Sequence, residues 1–519
     1  MIQSKSRIAF VYLALSLFSG AALAESSGSL AGRVREHRLP NGLVVLALRK
    51  AGAPTVSIQM TYRVGGVDEL SGRTGMAHML EHMLFKGTTT LGTQDWKREE
   101  PLQCEIEKVG SRLDAEARKG EGANPQTVAE LSSQLSALQQ EQTACVVKDA
   151  IDAIYSANGA VGFNASTSAD LTNYIVSLPS NRLELWAAIE AERMRDPVLR
   201  EYYSERDVVL EEMRQRVDCN PDGQLHQALL AEAFTAHPYR NPVIGWPSDV
   251  QHLDVLATRD FYRSHYGPNN AVIAAVGDLD PDAFFALVDR YFGPLPPGEK
   301  PPTILTQEPS QPGPKRVEVL FDAQPKVALA YHKPTLPHRD DYVFDVVEAL
   351  LTDGRSSRLP RELVDRQRLA VRVDAVNGVP GARYPNLFVL YATPAPGVDP
   401  DRLIAAVEAE LRRLADPTPS PDELRRVLRR LEAAKVRRLT SSAGLAGQLA
   451  YFQAVTGDWR YVEEHPKVLA TVTAEEVSAA ALKYFVPRNR TIAVLRSPAP
   501  EAQKEAPKDA PQAIVKEDK

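Results

Sequence analysis

Two spacings of hydrophobic residues alternate along this chain, and each change of spacing marks an element. Between Arg35 and Arg49 a Pro40-Asn41-Gly42 turn precedes the apolar run Leu43-Val44-Val45-Leu46-Ala47-Leu48, and Thr55 to Val64 gives a second extended run. Runs of this kind around a glycine turn predict a hairpin-like opening. The apolar stretch from Met76 to Phe85 ends at Gly87 and reads as a helix. From about residue 93 to 157 the period is helical: Leu102, Ile106, Val109 and Leu113 recur, Gly120 to Pro125 breaks the pattern, and Val128, Leu131, Leu135 and Leu138 resume it. This predicts an antiparallel helical hairpin. Extended segments follow at Gly162 to Ser168 and Thr172 to Leu178, joined by a turn at Ala169-Asp170, and helices are predicted over Arg182 to Arg193 and about Ser204 to Arg216.

With 519 residues the chain exceeds what one core usually holds. The stretch 297–314 is rich in proline and poor in large apolar residues, as linkers are. An internal repeat supports two related parts. Tyr266-Gly267-Pro268-Asn269-Asn270-Ala271-Val272-Ile273 resembles Phe485-Val486-Pro487-Arg488-Asn489-Arg490-Thr491-Ile492, with the same turn, asparagine and closing strand. The reading is α+β, with two homologous domains at 25–297 and 315–497 around a linker at 298–314. Each is expected to be an antiparallel sheet packed by helices, with the helical hairpin at about 93–157 as an insertion in the first. The stretch 498–519, rich in Ala, Pro, Lys and Glu, is expected to be disordered.

A net charge of -6 with 25% charged residues argues against nucleic-acid binding and offers no basic stripe for a membrane surface. At the start, Lys5 and Arg7 precede an apolar run from Ile8 to Phe18, and Ala22-Leu23-Ala24 supplies the small residues of a cleavage site. The run is shorter than the ~20 residues that span a bilayer. It reads as an export signal over 1–24, cleaved after Ala24, leaving a periplasmic or secreted chain without a membrane span. Of three cysteines, Cys104 and Cys145 lie nearly symmetrically about the hairpin break. Cys145 joins the stripe of Leu138, but Cys104 falls on the far side from Leu102 and Ile106, so the periodicity favours free thiols over a bridge.

The candidate chemistry lies in His78-Met79-Leu80-Glu81-His82. On a helix, residues four apart share a face, so both imidazoles can reach one ion while Glu81 stands beside it. The order H-x-x-E-H is the inverse of the H-E-x-x-H zinc peptidase motif. Catalytic zinc takes three protein ligands and keeps an open position, so a third ligand must come from elsewhere. The segment Glu205-Arg206-Asp207-Val208-Val209-Leu210-Glu211-Glu212-Met213 offers candidates: Glu205 and Glu212, seven apart, share one face, and Glu211 is rotated by about 100° from Glu212. A solvated acidic face would read the same way.

Taken in order, the H-x-x-E-H helix, Asn164-Ala165-Ser166-Thr167, Glu190-Ala191-Glu192-Arg193-Met194, the E-x6-E spacing of Glu205 and Glu212, and His237-Pro238-Tyr239 resemble the insulinase/pitrilysin family of zinc peptidases, the inverzincins. The likeness runs over nearly the whole chain after the signal. It implies repeated α+β domains and one Zn2+ per chain held by His78, His82 and Glu212, with Glu205 supporting the site. It implies Glu81 as general base, and substrate backbone pairing as an added strand along Asn164 and Ala165. Peptides or unfolded segments are then the expected substrates.

Two departures matter. His82 and Glu212 lie farther apart than the family usually has them, which the predicted hairpin accounts for. In catalytically complete members the second half carries an arginine and, seven residues later, a tyrosine that hold substrate. Here Gly354-Arg355-Ser356-Ser357-Arg358-Leu359-Pro360-Arg361-Glu362-Leu363 matches the lead-in, but Val364 and Val371 occupy those positions. The second half also lacks H-x-x-E-H: Asp345 and Ala349 stand where the histidines stood. The resemblance therefore implies a zinc-bearing subunit working with a related subunit that carries the arginine and tyrosine, or a homodimer. The alternative is a non-catalytic member that binds peptides or scaffolds an assembly; a dedicated processor of one precursor peptide is a third reading.

Overall fold

The computed structural model describes residues 29–498, so the expected export signal, and the expected disordered tail beyond Pro498, lie outside the described residues. In chain order the first half contains β1 (Arg35–Arg38), β2 (Val44–Arg49), β3 (Thr55–Tyr62), α1 (Met76–Met83), α2 (Trp96–Ala117), α3 (Pro125–Thr143), β4 (Val161–Thr167), β5 (Thr172–Pro179), α4 (Leu183–Arg195), α5 (Tyr202–Met213), α6 (Pro221–Ala233), α7 (Val255–His265) and β6 (Ala271–Gly277). The second half contains β7 (Lys315–Leu320), β8 (Lys326–Lys333), α8 (Arg339–Thr352), β9 (Ala370–Val379), β10 (Asn386–Pro394), α9 (Pro400–Arg412), α10 (Pro421–Thr440), α11 (Ser442–Thr456), α12 (Ala474–Tyr484) and β11 (Arg490–Arg496). Further helices at Ala150–Ala157, Pro281–Phe292 and Tyr461–Leu469, and shorter helical turns, complete the two halves.

The strand orders are β1-β2-β6-β3-β5-β4 and β7-β11-β8-β10-β9, which coincide once β1 is set aside. The expectation of purely antiparallel sheets fails at one place in each. β6 runs parallel to β2 and β11 runs parallel to β7, because each closing strand returns from a long helical crossover and enters between the first two long strands. For the same reason β2 and β3 do not form the expected opening hairpin. The Pro40-Asn41-Gly42 turn instead joins β1 to β2, with Arg38 opposite Val44. The sequence repeat has a local cause: each copy begins in a 3-10 turn whose asparagine closes the preceding helix. Asn270 Nδ2 donates to His265 O at 2.8 Å at the end of α7, and Asn489 Nδ2 donates to Tyr484 O at 3.0 Å at the end of α12.

Each sheet buries one face under helices of its own half and the other under a helix of the opposite half. β6 is buried along its whole length. Ile273 and Ala275 join the core of α1, α4 and α7, while Val272, Ala274 and Val276 pack with Leu445, Leu449 and Ala450 of α11. Reciprocally, Leu225, Leu229 and Leu230 of α6 cover Ala328, Ala330, Leu387 and Val389 of the second sheet. At roughly 1.5–3 kcal/mol for each large side chain buried, this exchange makes neither half a free-standing core.

A polar latch adds to it. Arg383, between β9 and β10, reaches the 3-10 turn at Gly66–Asp68 and the turn between β4 and β5, donating to Asp68 Oδ2 at 2.7 Å, to Asp68 Oδ1 at 3.1 Å and to Asp170 O at 3.2 Å. Asp170 in turn accepts from Tyr239 Oη at 2.6 Å and from the backbone N–H of Ala382 and Arg383.

α2 and α3 form the predicted antiparallel hairpin, but their seam differs from the apolar stripe expected. Ile106, Val109, Leu131 and Leu135 are buried, whereas Leu102 and Leu113 are only half-buried and Glu99, Gln103, Gly110 and Asp114 take the remaining inner positions. These polar groups have partners. Arg200 Nε donates to Glu99 Oε1 at 2.6 Å with both side chains fully buried, Gln142 Nε2 donates to Gln103 Oε1 at 2.7 Å, and Arg206 Nη1 donates to Asp114 Oδ1 at 2.8 Å. At Gly110 the helix comes so close to Tyr203 that a Cβ would lie 2.0 Å from its ring. The hairpin therefore braces α5 through Tyr203 and Arg206. Cys104 is exposed and Cys145 buried, and both are free. No helix among the described residues is long and apolar enough to cross a membrane.

Candidate metal centre

α1 starts from a buried carboxylate. Glu69 accepts from the backbone N–H of Gly75 and Ala77, each at 2.7 Å, satisfying donors that a helix start leaves unpaired. Burial pushes Glu69 up to about 8, against the lowering effect of those two N–H groups. Met76, Ala77, Met79, Leu80 and Met83 pack into the first core, and His78 goes inward with them at 5% exposure.

Among the described residues, His78, His82 and Glu212 form the one group of three metal-ligating side chains, with ligand atoms all within 4.8 Å of one another. Glu212 Oε2 lies 3.4 Å from His82 Nε2 and 3.7 Å from His78 Nε2. The two imidazoles stand edge to face, centroids 4.9 Å apart. Zn–N and Zn–O bonds of about 2.0–2.2 Å place tetrahedral ligands roughly 3.3–3.6 Å apart, so this donor set fits a zinc ion.

The atoms facing away from that group are held unequally. His82 Nδ1 lies 3.3 Å from Glu205 Oε2, and Lys86 donates to both Glu205 and Glu201. Glu205 and Glu212, the two glutamates seven apart, therefore grip His82 on opposite sides, Glu205 from behind. Glu212 Oε1 takes the Arg216 guanidinium at 2.6 Å. His78 Nδ1 is buried and has no hydrogen-bond partner.

Burial, with the charges of His82 and Arg216, lowers His78 to about 3 and so keeps it neutral. Burial also works against a charged His82, but the Glu205 hydrogen bond and the Glu212 charge outweigh it and raise that ring. Glu205 is lowered: its burial is outweighed by the hydrogen bonds from His82 and Lys86.

Glu81 stands beside this group. Burial raises its carboxyl, while the hydroxyl of Thr167 on β4, donating to Oε2 at 2.5 Å, works the other way. β4 is the last strand of its sheet and pairs only with β5, so its outer edge faces no strand. Asn164 is exposed on it and Ala165 half-buried. The Asn164 side chain accepts from the Ala165 N–H at 2.9 Å, beside an irregularity in register between Val161 and Asn164.

The second half repeats this arrangement without the ligands. On α8, Asp345, Glu348 and Ala349 stand where α1 has His78, Glu81 and His82. Just as Glu81 meets Thr167 on β4, Glu348 accepts from the Asn377 N–H on β9 at 2.8 Å. Asp345 accepts from Asn377 Nδ2 at 2.8 Å and lies 3.0 Å from His465 Nε2. Across from them α10 presents Arg425, Arg429, Lys435 and Arg438 together with Glu432, and between lies a cavity of about 1140 Å3. Val364 sits in a π turn over Pro360–Arg366 and packs on the second core, and Val371 is 54% exposed on β9. Neither side chain offers a hydrogen bond.

Sequence reasoning missed Arg216 and Lys86 as parts of this network, and Asp68, Asp170 and Arg383 as the latch between the halves. Only Arg216 carried a local signal, its place four residues after Glu212.

Comparison with known proteins gives the family and the fold. The family described as Insulinase (Peptidase family M16) matches residues 44–121 and 135–246, and the Peptidase M16 inactive domain matches 253–431. Zinc protease PqqE of Helicobacter pylori is 28% identical over 467 residues, covering 88% of this chain and 91% of that protein. The crystal structure of a protease from Helicobacter pylori superposes with a TM-score of 0.75 at 26% identity, covering 90% of this chain and 99% of that one. The first half of the periplasmic protease PqqL from Escherichia coli shares the fold, with a TM-score of 0.65 at 18% identity over 93% of this chain and 98% of that one.

Proposed function

The chain belongs to the insulinase family of peptidases, peptidase family M16, and from that premise we propose that it is an exported zinc-dependent endopeptidase acting on peptides or unfolded segments. The observation that carries this reading is the convergence of His78, His82 and Glu212 within 4.8 Å of one another. Glu81 beside them supplies the base that a purely structural metal site would not need. His78, His82 and Glu212 would hold the zinc ion, which when bound would supply Lewis acidity and lower the pKa of water toward about 7. Glu81 takes the proton of the attacking water and returns it to the leaving amine. Its elevated proton affinity suits both roles, and the Thr167 hydroxyl fixes the carboxylate between them. The outer edge of β4 receives substrate as an added strand at Asn164 and Ala165, a mode that reads little sequence and excludes folded chains.

The valines at 364 and 371 leave the second half without donors for the substrate carbonyl from those positions. We therefore assign the chain as a zinc-bearing subunit whose partner is a related subunit carrying the arginine and tyrosine. The same valines favour the second reading, a peptide-binding or scaffolding member without catalysis. Export rests on the segment 1–24 and fits the periplasmic setting of the PqqL neighbour.

Glu81→Gln separates the readings. Zinc content should be retained, with cleavage of a mixed peptide library falling by about 10^2–10^4-fold; unchanged cleavage removes Glu81 from its role. The same digestion with and without a co-encoded relative tests the partner, and full activity of the isolated chain would sink that part.

A further inference from the structure

Resting on the zinc reading above, we propose that Arg216 is the positioning residue that holds Glu212 with one oxygen turned to His78 and His82, and so sets how tightly the site holds zinc. Of the Glu212 carboxylate, Oε2 faces both imidazoles at 3.4 and 3.7 Å, while Oε1 is occupied by Arg216 Nη2 at 2.6 Å. With Oε1 engaged, the carboxylate neither turns away nor offers both oxygens to the ion.

The rest of the site makes this contact matter. His82 is held from behind by Glu205, but His78 Nδ1 has no hydrogen-bond partner, so the outer support of the three ligands comes through Glu205 and Arg216. Outer partners of this kind orient ligands, and their loss typically weakens metal binding by about 10–100-fold.

The backbone around Arg216 is built rather than loose. α geometry ends at Met213, and Arg214–Asp218 forms a π turn in which Cys219 N–H donates to Arg214 O at 2.7 Å. Turns of this type recur at functional sites. α6 comes so close to it that a Cβ on Gly223 would lie 2.0 Å from the Arg216 carbonyl oxygen. The Arg216 side chain, by contrast, is 68% exposed, so truncating it leaves no hole in the core.

A control lies two residues away. Arg214 makes a similar pair with Glu211, Nη1 to Oε2 at 2.7 Å with 66% exposure, but Glu211 is itself 53% exposed and is not one of the grouped ligands.

The test measures zinc affinity of the full chain by chelator competition for wild type, Arg216→Gln, Arg216→Lys and Arg214→Gln, with the melting temperature of each metal-free protein. Arg216→Gln is expected to raise the zinc Kd by about tenfold or more. Arg216→Lys should restore part of the loss, and Arg214→Gln should stay within about twofold of wild type, with all metal-free melting temperatures alike. Equal zinc affinity in the two glutamine variants overturns the role of Arg216 while leaving the zinc reading intact. A wild-type chain that binds no zinc overturns both.

Discussion

α1 and α8 occupy the same place beside two sheets of the same strand order, and their difference shows how little a fold constrains chemistry. Both carry a glutamate that meets the edge strand of its sheet, Glu81 at Thr167 and Glu348 at Asn377. Among the described residues only α1 carries histidines one turn apart that meet a carboxylate of the facing helix, Glu212 of α5; the equivalent α10 faces its cavity with Arg425, Arg429, Lys435 and Arg438 alongside Glu432. With Asp345 and Ala349 in place of the histidines, no group of three metal-ligating side chains forms there among the described residues, and a wide cavity stands in its place. What the second half retains is structural: it covers the first sheet with α11 and latches onto Asp68 and Asp170 through Arg383.

That dependence is the first place to break the comparison. Arg383→Met leaves the buried Asp68 carboxylate without its cation and the Asp170 carbonyl without its guanidinium donor. Losing one partner of a buried ion pair costs about 3–5 kcal/mol, which urea unfolding should register as one transition involving both halves. A loss below about 1 kcal/mol would mean the halves are held by apolar exchange alone.

Zinc removal should separate the halves more finely. A chelator is expected to lower stability by about 2.7 kcal/mol where free zinc had stood at a hundred times its Kd. Hydrogen exchange should localise that loss to α1 and α5, with α8 and α10 unchanged; equal loss at α8 would put metal binding in both halves.

The smallest effect concerns pH. Burial raises Glu348 from 4.5 to about 7, against the Asn377 N–H that lowers it. A carboxyl that binds its proton more tightly when folded contributes stability that is complete below about pH 4.5 and is lost as pH rises through about 7. The melting temperature of wild type should therefore fall between pH 5 and 8 more than that of Glu348→Gln, by an amount corresponding to roughly 1–3 kcal/mol. Parallel pH curves would show that the Glu348 carboxyl titrates alike in both states.

Much of this was legible in the chain. Alternating and helical periods marked most of the strands and helices, and the Pro-x-Asn repeat marked both closing strands because each asparagine caps the helix before it. Helical spacing alone put His78 and His82 on one face and Glu205 and Glu212 on another. The misses share a cause. The parallel pairs of β6 with β2 and β11 with β7, the polar seam of the hairpin, and the latch of Arg383 on Asp68 and Asp170 all join residues distant in sequence, and no local period records such pairing.

The sequence by itself determined the local chemistry: which side chains stand one turn apart, where helices begin and end, and that the second half lacks ligands. Tertiary structure alone decided that Glu212 meets the two imidazoles, that Glu205 stands behind His82, and that each sheet is closed by the other half's helix. The physical reason is that side chains within a turn are placed by backbone geometry, whereas contacts between distant segments depend on how whole faces pack.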